Sequence, residues 1–201
     1  MNVRGEPRGK RFMLWVDGVG GYWVCLGDSV TLGQPLVGGG VDVPILGDIS
    51  SRHARIRRDP EGYLIEALRD VRLDGKPLAR TGWLKEGSRV ELVRGVRLVF
   101  RRPHALSASA RLDFASGHRT QPSADAVILM SDSCVLGPRQ QSHVVCRRWP
   151  CEVILYRHDD QLYCRTTGRM VIDGNEYHER GPLRFDSRVE GEWFSLSLEP
   201  L

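Results

Sequence analysis

The sequence lacks most of what would mark a membrane protein, a disulfide scaffold or a hydrolase. No stretch approaches the roughly 18 consecutive apolar residues of a membrane-spanning helix. The basic start, Met1 to Val16, holds an apolar run of only about five residues, short of the roughly 7–15 of a secretion signal. A cytoplasmic protein with no membrane partner is therefore expected. The five cysteines, Cys25, Cys134, Cys146, Cys151 and Cys164, are odd in number and have no paired spacing, which argues against a disulfide framework. His143, Cys146 and Cys151 lie near each other with Cys164 a strand away. Structural zinc prefers tighter paired knuckles, so these read as buried thiols, and no metal or other cofactor is expected.

Catalytic signatures are missing too. There is no Gly-x-Ser-x-Gly and no convergent base for a Ser-His-Asp arrangement. The glycine run at 37–40 lacks the Gly-Lys-Ser/Thr of a phosphate loop and reads as a flexible connection. Neither an enzyme nor a small-molecule substrate is expected. The net charge is only +4, and it is not gathered into runs. Residues 1–105 hold 18 Lys/Arg against 12 Asp/Glu, and residues 106–201 hold 11 against 13. An anionic partner should therefore prefer the first half, but a nucleic-acid partner is not expected.

What is present is period-two alternation. Phe12, Leu14 and Val16 alternate with Arg11, Met13 and Trp15. Val96, Leu98 and Phe100 alternate with Arg97, Val99 and Arg101, and Phe194, Leu196 and Leu198 alternate with Ser195, Ser197 and Glu199. Such patterns predict half-buried antiparallel strands. Turn residues punctuate them at 17–21, 27–28, 59–62, 74–77 and 173–175, and no long helical period occurs. Trp15, Trp23 and Trp193 fall in strands and read as packing.

The chain also repeats itself. Trp23–Gly33 lines up with Val127–Gly137, Leu73-Asp74-Gly75 with Ile172-Asp173-Gly174, and Ser88–Glu91 with Ser187–Glu190, both of the last reading Ser-Arg-Val-Glu. With 201 residues and two copies, this predicts two domains, 10–103 and 108–201, joined through Arg101–Ser109 and packed together. Short strands at regular spacing make each an all-β sandwich.

The first copy resembles the forkhead-associated (FHA) domain. The resemblance rests on Val30–Gly33, the loop aspartate Asp42, the segment Ile49–Ile56 (ISSRHARI), Gly62–Ala67, the turn at 73–75 and Leu84–Phe100. The second copy looks like a degenerate relative that keeps the framework but has Arg148-Trp149-Pro150-Cys151 in place of Ser-x-x-His. The resemblance implies a tandem FHA-like β-sandwich and a non-catalytic signalling adaptor that binds phosphothreonine peptides through loops at one end. It places Ser50, Ser51 and Arg52 at the phosphate, with Gly33 and His53 supporting the loops. It also exposes departures. Gln34 stands where the family has an Arg, and Ala67–Val71 lacks the family's hydroxyl and peptide-reading Asn. Arg69 is the candidate to restore the missing charge, with Arg72 as a second. In the second copy Pro138 takes the charged position. For Ser50–Arg52, a polar loop tip kept for turn hydrogen bonds is the other reading. Arg55, Arg57 and Arg58 read as a solvated strand face. Two functions follow: a phosphoprotein reader, or an interaction scaffold that has lost phosphate recognition and binds an unmodified protein.

Overall fold

Turn residues every few positions leave no room for a long helix, and the chain folds into strands. The computed structural model describes residues 11–36, 38–104 and 106–201. The basic run 1–10, Val37 of the glycine-rich connection and Ala105 of the join lie outside the described residues. The first half comprises Arg11–Val16 (β1), Gly20–Cys25 (β2), Ser29–Gly33 (β3), Val43–Pro44 (β4), Ala54–Asp59 (β5), Gly62–Ala67 (β6), Val71–Leu73 (β7), Lys76–Pro77 (β8), Thr81–Leu84 (β9), Arg89–Leu92 (β10) and Val96–Arg101 (β11). The second comprises Ala110–Phe114 (β12), Ala126–Leu129 (β13), Ser133–Gly137 (β14), Val144–Val145 (β15), Val153–His158 (β16), Gln161–Ile172 (β17), Asn175–Leu183 (β18), Arg188–Gly191 (β19) and Ser195–Pro200 (β20).

One sheet runs β4-β3-β5-β6-β9. The larger runs β15-β14-β16-β17-β19-β20-β1-β2-β13-β12-β11-β10-β7-β8, with β18 alongside β17. Most neighbours are antiparallel, as the alternation predicts. Among the described residues three pairs are parallel: β2–β13, β3–β4 and β14–β15.

The repeat has a physical basis in one hydrogen-bond network made twice. Asp74 and Asp173 both adopt φ 51, followed by Gly75 and Gly174 at φ 81 and 82. The Asp74 carboxylate accepts from the Ser88 hydroxyl at 3.3 Å and the Arg89 N–H at 2.7 Å. The Asp173 carboxylate accepts from the Ser187 hydroxyl at 2.7 Å and the Arg188 N–H at 2.8 Å. Each serine in turn accepts from a backbone N–H, of Lys85 and of Arg184. Ser88 and Ser187 are buried, so a polar partner is obligatory, and that fixes the spacing between turn and serine.

Sheet order shows an exchange between the halves. The repeat makes β11 the counterpart of β20 and β2 the counterpart of β13. Yet β1 pairs with β20, and β12 pairs with β11. The hairpin β1–β2 thus completes the second half's sheet, and β12–β13 completes the first half's. The two hairpins meet at the parallel β2–β13 pair.

This exchange explains a departure from half-buried strands. The central strands separate two cores and are buried on both faces. Phe12, Leu14, Tyr22, Val24, Ala126 and Ile128 enter the core of the second half. Met13, Trp23, Cys25, Leu112, Val127 and Leu129 enter the core of the first. A division at 103/108 follows the chain, whereas each core takes side chains from both sides of it. Trp15 departs as well: it is 38% exposed, lies over Gly21 and donates its indole N–H to Glu199 at 2.9 Å. Trp23 is buried, and Trp193 packs partly buried against the second half's core.

Candidate functional site

Gly33 closes β3 where the chain has no room for a side chain. A Cβ there would sit 2.1 Å from the Ser51 carbonyl oxygen. The close approach lets the Gln34 N–H donate to the Ser50 carbonyl at 3.1 Å and the Ile45 N–H to the Gly33 carbonyl at 2.8 Å. The end of β3 is thereby tied to Ser50–Ser51. Asp42 shapes the preceding loop: its carboxylate accepts from the Thr31 N–H at 2.8 Å. Arg11 and Trp23, from the exchanged hairpin, donate to the Val41 and Asp42 carbonyls at 2.7 and 3.0 Å.

His53 binds two loops together. Its Nδ1 accepts from the Ser50 N–H at 3.2 Å, so the proton sits on Nε2, which donates to the Asp70 carbonyl at 2.9 Å. Its own carbonyl accepts from the N–H groups of Leu68 and Arg69, at 3.1 and 3.0 Å. The ring is 1% exposed, and every polar group it brings inside has a partner. Ser50 and Ser51 are half-buried and Arg52 is exposed beside this brace.

The structure therefore gathers Gln34, Ser50–His53 and Leu68–Asp70 at one end of the first half. Gln34, Arg52 and Arg69 are exposed. The Arg52 guanidinium reaches the Gly40 carbonyl at 3.4 Å, and the Arg69 guanidinium the Leu68 carbonyl at 2.9 Å. Neither is locked to a carboxylate in the described residues, so both can turn to an incoming anion. Arg72 lines a groove beside Arg69, with Leu68, Leu78, Glu91 and Val93. Of the strand-face arginines, Arg57 is exposed, Arg55 pairs with Glu66 at 3.3 Å and Arg58 pairs with Asp28.

The second half differs at each of these points. Its pairing Leu136↔Val153 matches Leu32↔Ala54, which aligns Glu152 with His53 and Trp149 with Ser50. This corrects by one residue the expectation that Arg148–Cys151 stands in place of the Ser-x-x-His. The loop Leu68–Asp70 corresponds to Thr167–Arg169, which is the same length. There it is a bulge inside β17, between Arg165 and Arg169, and no loop projects. His143 replaces Asp42: its Nδ1 accepts from the Val135 N–H at 3.0 Å. Burial, and then the neighbouring His104, pull His143 down to about 4.

Burial pushes the Cys25, Cys134, Cys146 and Cys164 thiols up to about 12. Among the described residues no group of three or more His, Cys, Asp or Glu could hold a metal ion. Sequence reasoning missed Arg11, Trp23 and the Asp70 carbonyl as supports of this end. None carries a local signal, because their roles arise from strand exchange and from one long-range hydrogen bond.

No family model matches the chain, and no curated protein matches it. Among solved structures it is similar to one named "Rv0020c_FHA Structure", at 21% identity and a TM-score of 0.33. The match covers 49% of this chain and 97% of that one.

Proposed function

We propose that the chain is a non-catalytic protein-interaction module that reads a phosphothreonine-bearing segment of a cytoplasmic signalling partner with the braced loop end of its first half. The observation that carries this reading is the His53 brace. It holds Ser50–Arg52 and Leu68–Asp70 side by side on a rigid sheet, and it has no counterpart in the second half. A phosphate dianion needs guanidinium groups, hydroxyls and N–H donors around it. Ser50, Ser51, Arg52 and Arg69 supply those groups, on loops that lose little freedom on binding. Gln34 contributes a neutral hydrogen bond, and Arg69 supplies the charge it lacks. The second half acts as a buttress: its exchanged hairpin carries the Arg11 and Trp23 contacts that hold the Asp42 loop.

A second reading rests on the same two arginines. Arg52 and Arg69 already donate to backbone carbonyls, and the charge at Gln34 is gone. A scaffold that binds an unmodified protein would need nothing more. Titrating the chain with phosphothreonine peptides and their unphosphorylated counterparts separates the two. Binding of the phosphorylated members alone supports phosphate reading, and equal binding supports the scaffold.

A further inference from the structure

The segment Cys146–Trp149 of the second half forms a closed turn. The Trp149 N–H donates to the Cys146 carbonyl at 3.0 Å, which makes Arg147 and Arg148 its two central residues. Both ends of the turn are anchored: Cys146 is buried, and Trp149 is buried edge-on against Trp193 at 5.6 Å and tilted against Phe194 at 5.5 Å. The two arginine side chains are exposed and have no carboxylate partner among the described residues. Arg111 is different, being spent on Asp113 and on the His143 carbonyl.

The turn borders an open groove. Arg147, Arg148, Gln140, Trp149, Trp193 and Tyr22 line it, together with the tip of the exchanged hairpin at Asp17–Val19. The groove thus exists only because β1–β2 sits in the second half's sheet. It combines two unpaired guanidinium groups on a rigid turn, an amide, and an aromatic wall. The one carboxylate, Asp17, is outnumbered by the arginines.

We propose that this groove is a second anion site, independent of the braced loop end, and that it takes a phosphate monoester. The dianion sits between Arg147 and Arg148, and the apolar carrier of the ester lies against Trp193 and Tyr22. Two neighbouring guanidinium groups favour a doubly charged oxyanion over a single carboxylate. The carrier is either a phosphorylated side chain of a protein or a small free ester.

The test is a titration of the ¹⁵N-labelled full chain with phenyl phosphate, following the indole N–H signals of Trp149 and Trp193. The amide signals of Ser50 to His53 report the other end in the same spectra, so failure at one site is distinguishable from failure at the other. Saturable indole shifts are expected, with at least a tenfold loss of affinity in the Arg147→Gln/Arg148→Gln protein. Equal indole shifts with phenol, or shifts unchanged by the double substitution, would overturn the proposal. A capped phosphotyrosine tripeptide that binds as tightly as phenyl phosphate assigns the site to a protein partner. Weaker binding of the peptide assigns it to a small ester.

Discussion

The two loop ends of this molecule begin from one framework and finish as different surfaces. Both halves keep the Asp-Gly turn bonded to a buried serine, and both close an early strand with glycine. In the first half, His53 then pins a projecting loop. In the second, the same three-residue interval is absorbed into β17 as a bulge, and Glu152 occupies the histidine's place. A braced, projecting loop can therefore be made or lost without changing the length of this segment. What decides it is whether a buried side chain ties the loop to its neighbour or the backbone bonds run on as a ladder.

The largest expected effect breaks the separateness of the halves. Both cores take strands from both sides of the join, so a chain cut by a protease site placed between Arg102 and Ser107 should stay associated. The two pieces are expected to co-elute in gel filtration under native conditions. Residues 1–103 expressed alone should lose cooperative unfolding, because β12–β13 leaves the core. Free separation into two folded pieces would show that the hairpins are not exchanged.

The paired glycines come next. Gly33→Ala drives a Cβ against the Ser51 backbone, which has no rotamer to yield. In Gly137→Ala the nearest atom is the Glu152 Cγ at 2.7 Å. Denaturant melts should show a loss of about 3 kcal/mol for the first and about 1 kcal/mol for the second. Equal losses would erase the distinction between a backbone clamp and a side-chain contact.

His143 and its counterpart Asp42 give a third contrast, in pH. The folded state holds the His143 imidazole neutral to about 4, while the unfolded chain takes up the proton near the ordinary value of 6.5. Between these values the unfolded state binds more protons. Stability should therefore fall as pH drops from 6.5 towards 4 and change no further below that, by up to about 3 kcal/mol from this group. His143→Gln keeps an acceptor for the Val135 N–H and removes the titration. Its stability profile should be flatter over that window, as read from denaturant midpoints at each pH.

Much of this contrast was legible in the sequence. Alternation and turn residues marked the strands. The repeated Asp-Gly to Ser-Arg-Val-Glu interval marked the duplication, because one aspartate must reach one buried serine in each half. The exchange was hidden, since period two reports which side chains share a face and says nothing of which hairpin lies alongside. Met13 alternates with the core face of β1 yet faces a second core, which Trp23 and Cys25 of β2 also enter. The one-residue slip at Trp149–Glu152 has a similar cause. The two loops differ in length before they rejoin, and only the β14–β16 pairing fixes where. In the sequence Arg148 stands out only as the residue at the family's serine position, and Arg147 falls on no family position. Two adjacent arginines before a tryptophan between two strands were the available signal.

On the proposed reading Arg69, beside the His53 brace, restores the charge absent at Gln34, and Arg52 joins it at the phosphate. Calorimetric titration of one phosphothreonine peptide into the parent and into Arg69→Ala tests it most directly. Loss of a charge-assisted contact costs about 1.5–3 kcal/mol, so affinity should fall roughly tenfold or more, while the unphosphorylated peptide binds neither protein. An Arg69→Ala protein that binds the phosphorylated peptide as well as its parent would rule out that role for Arg69.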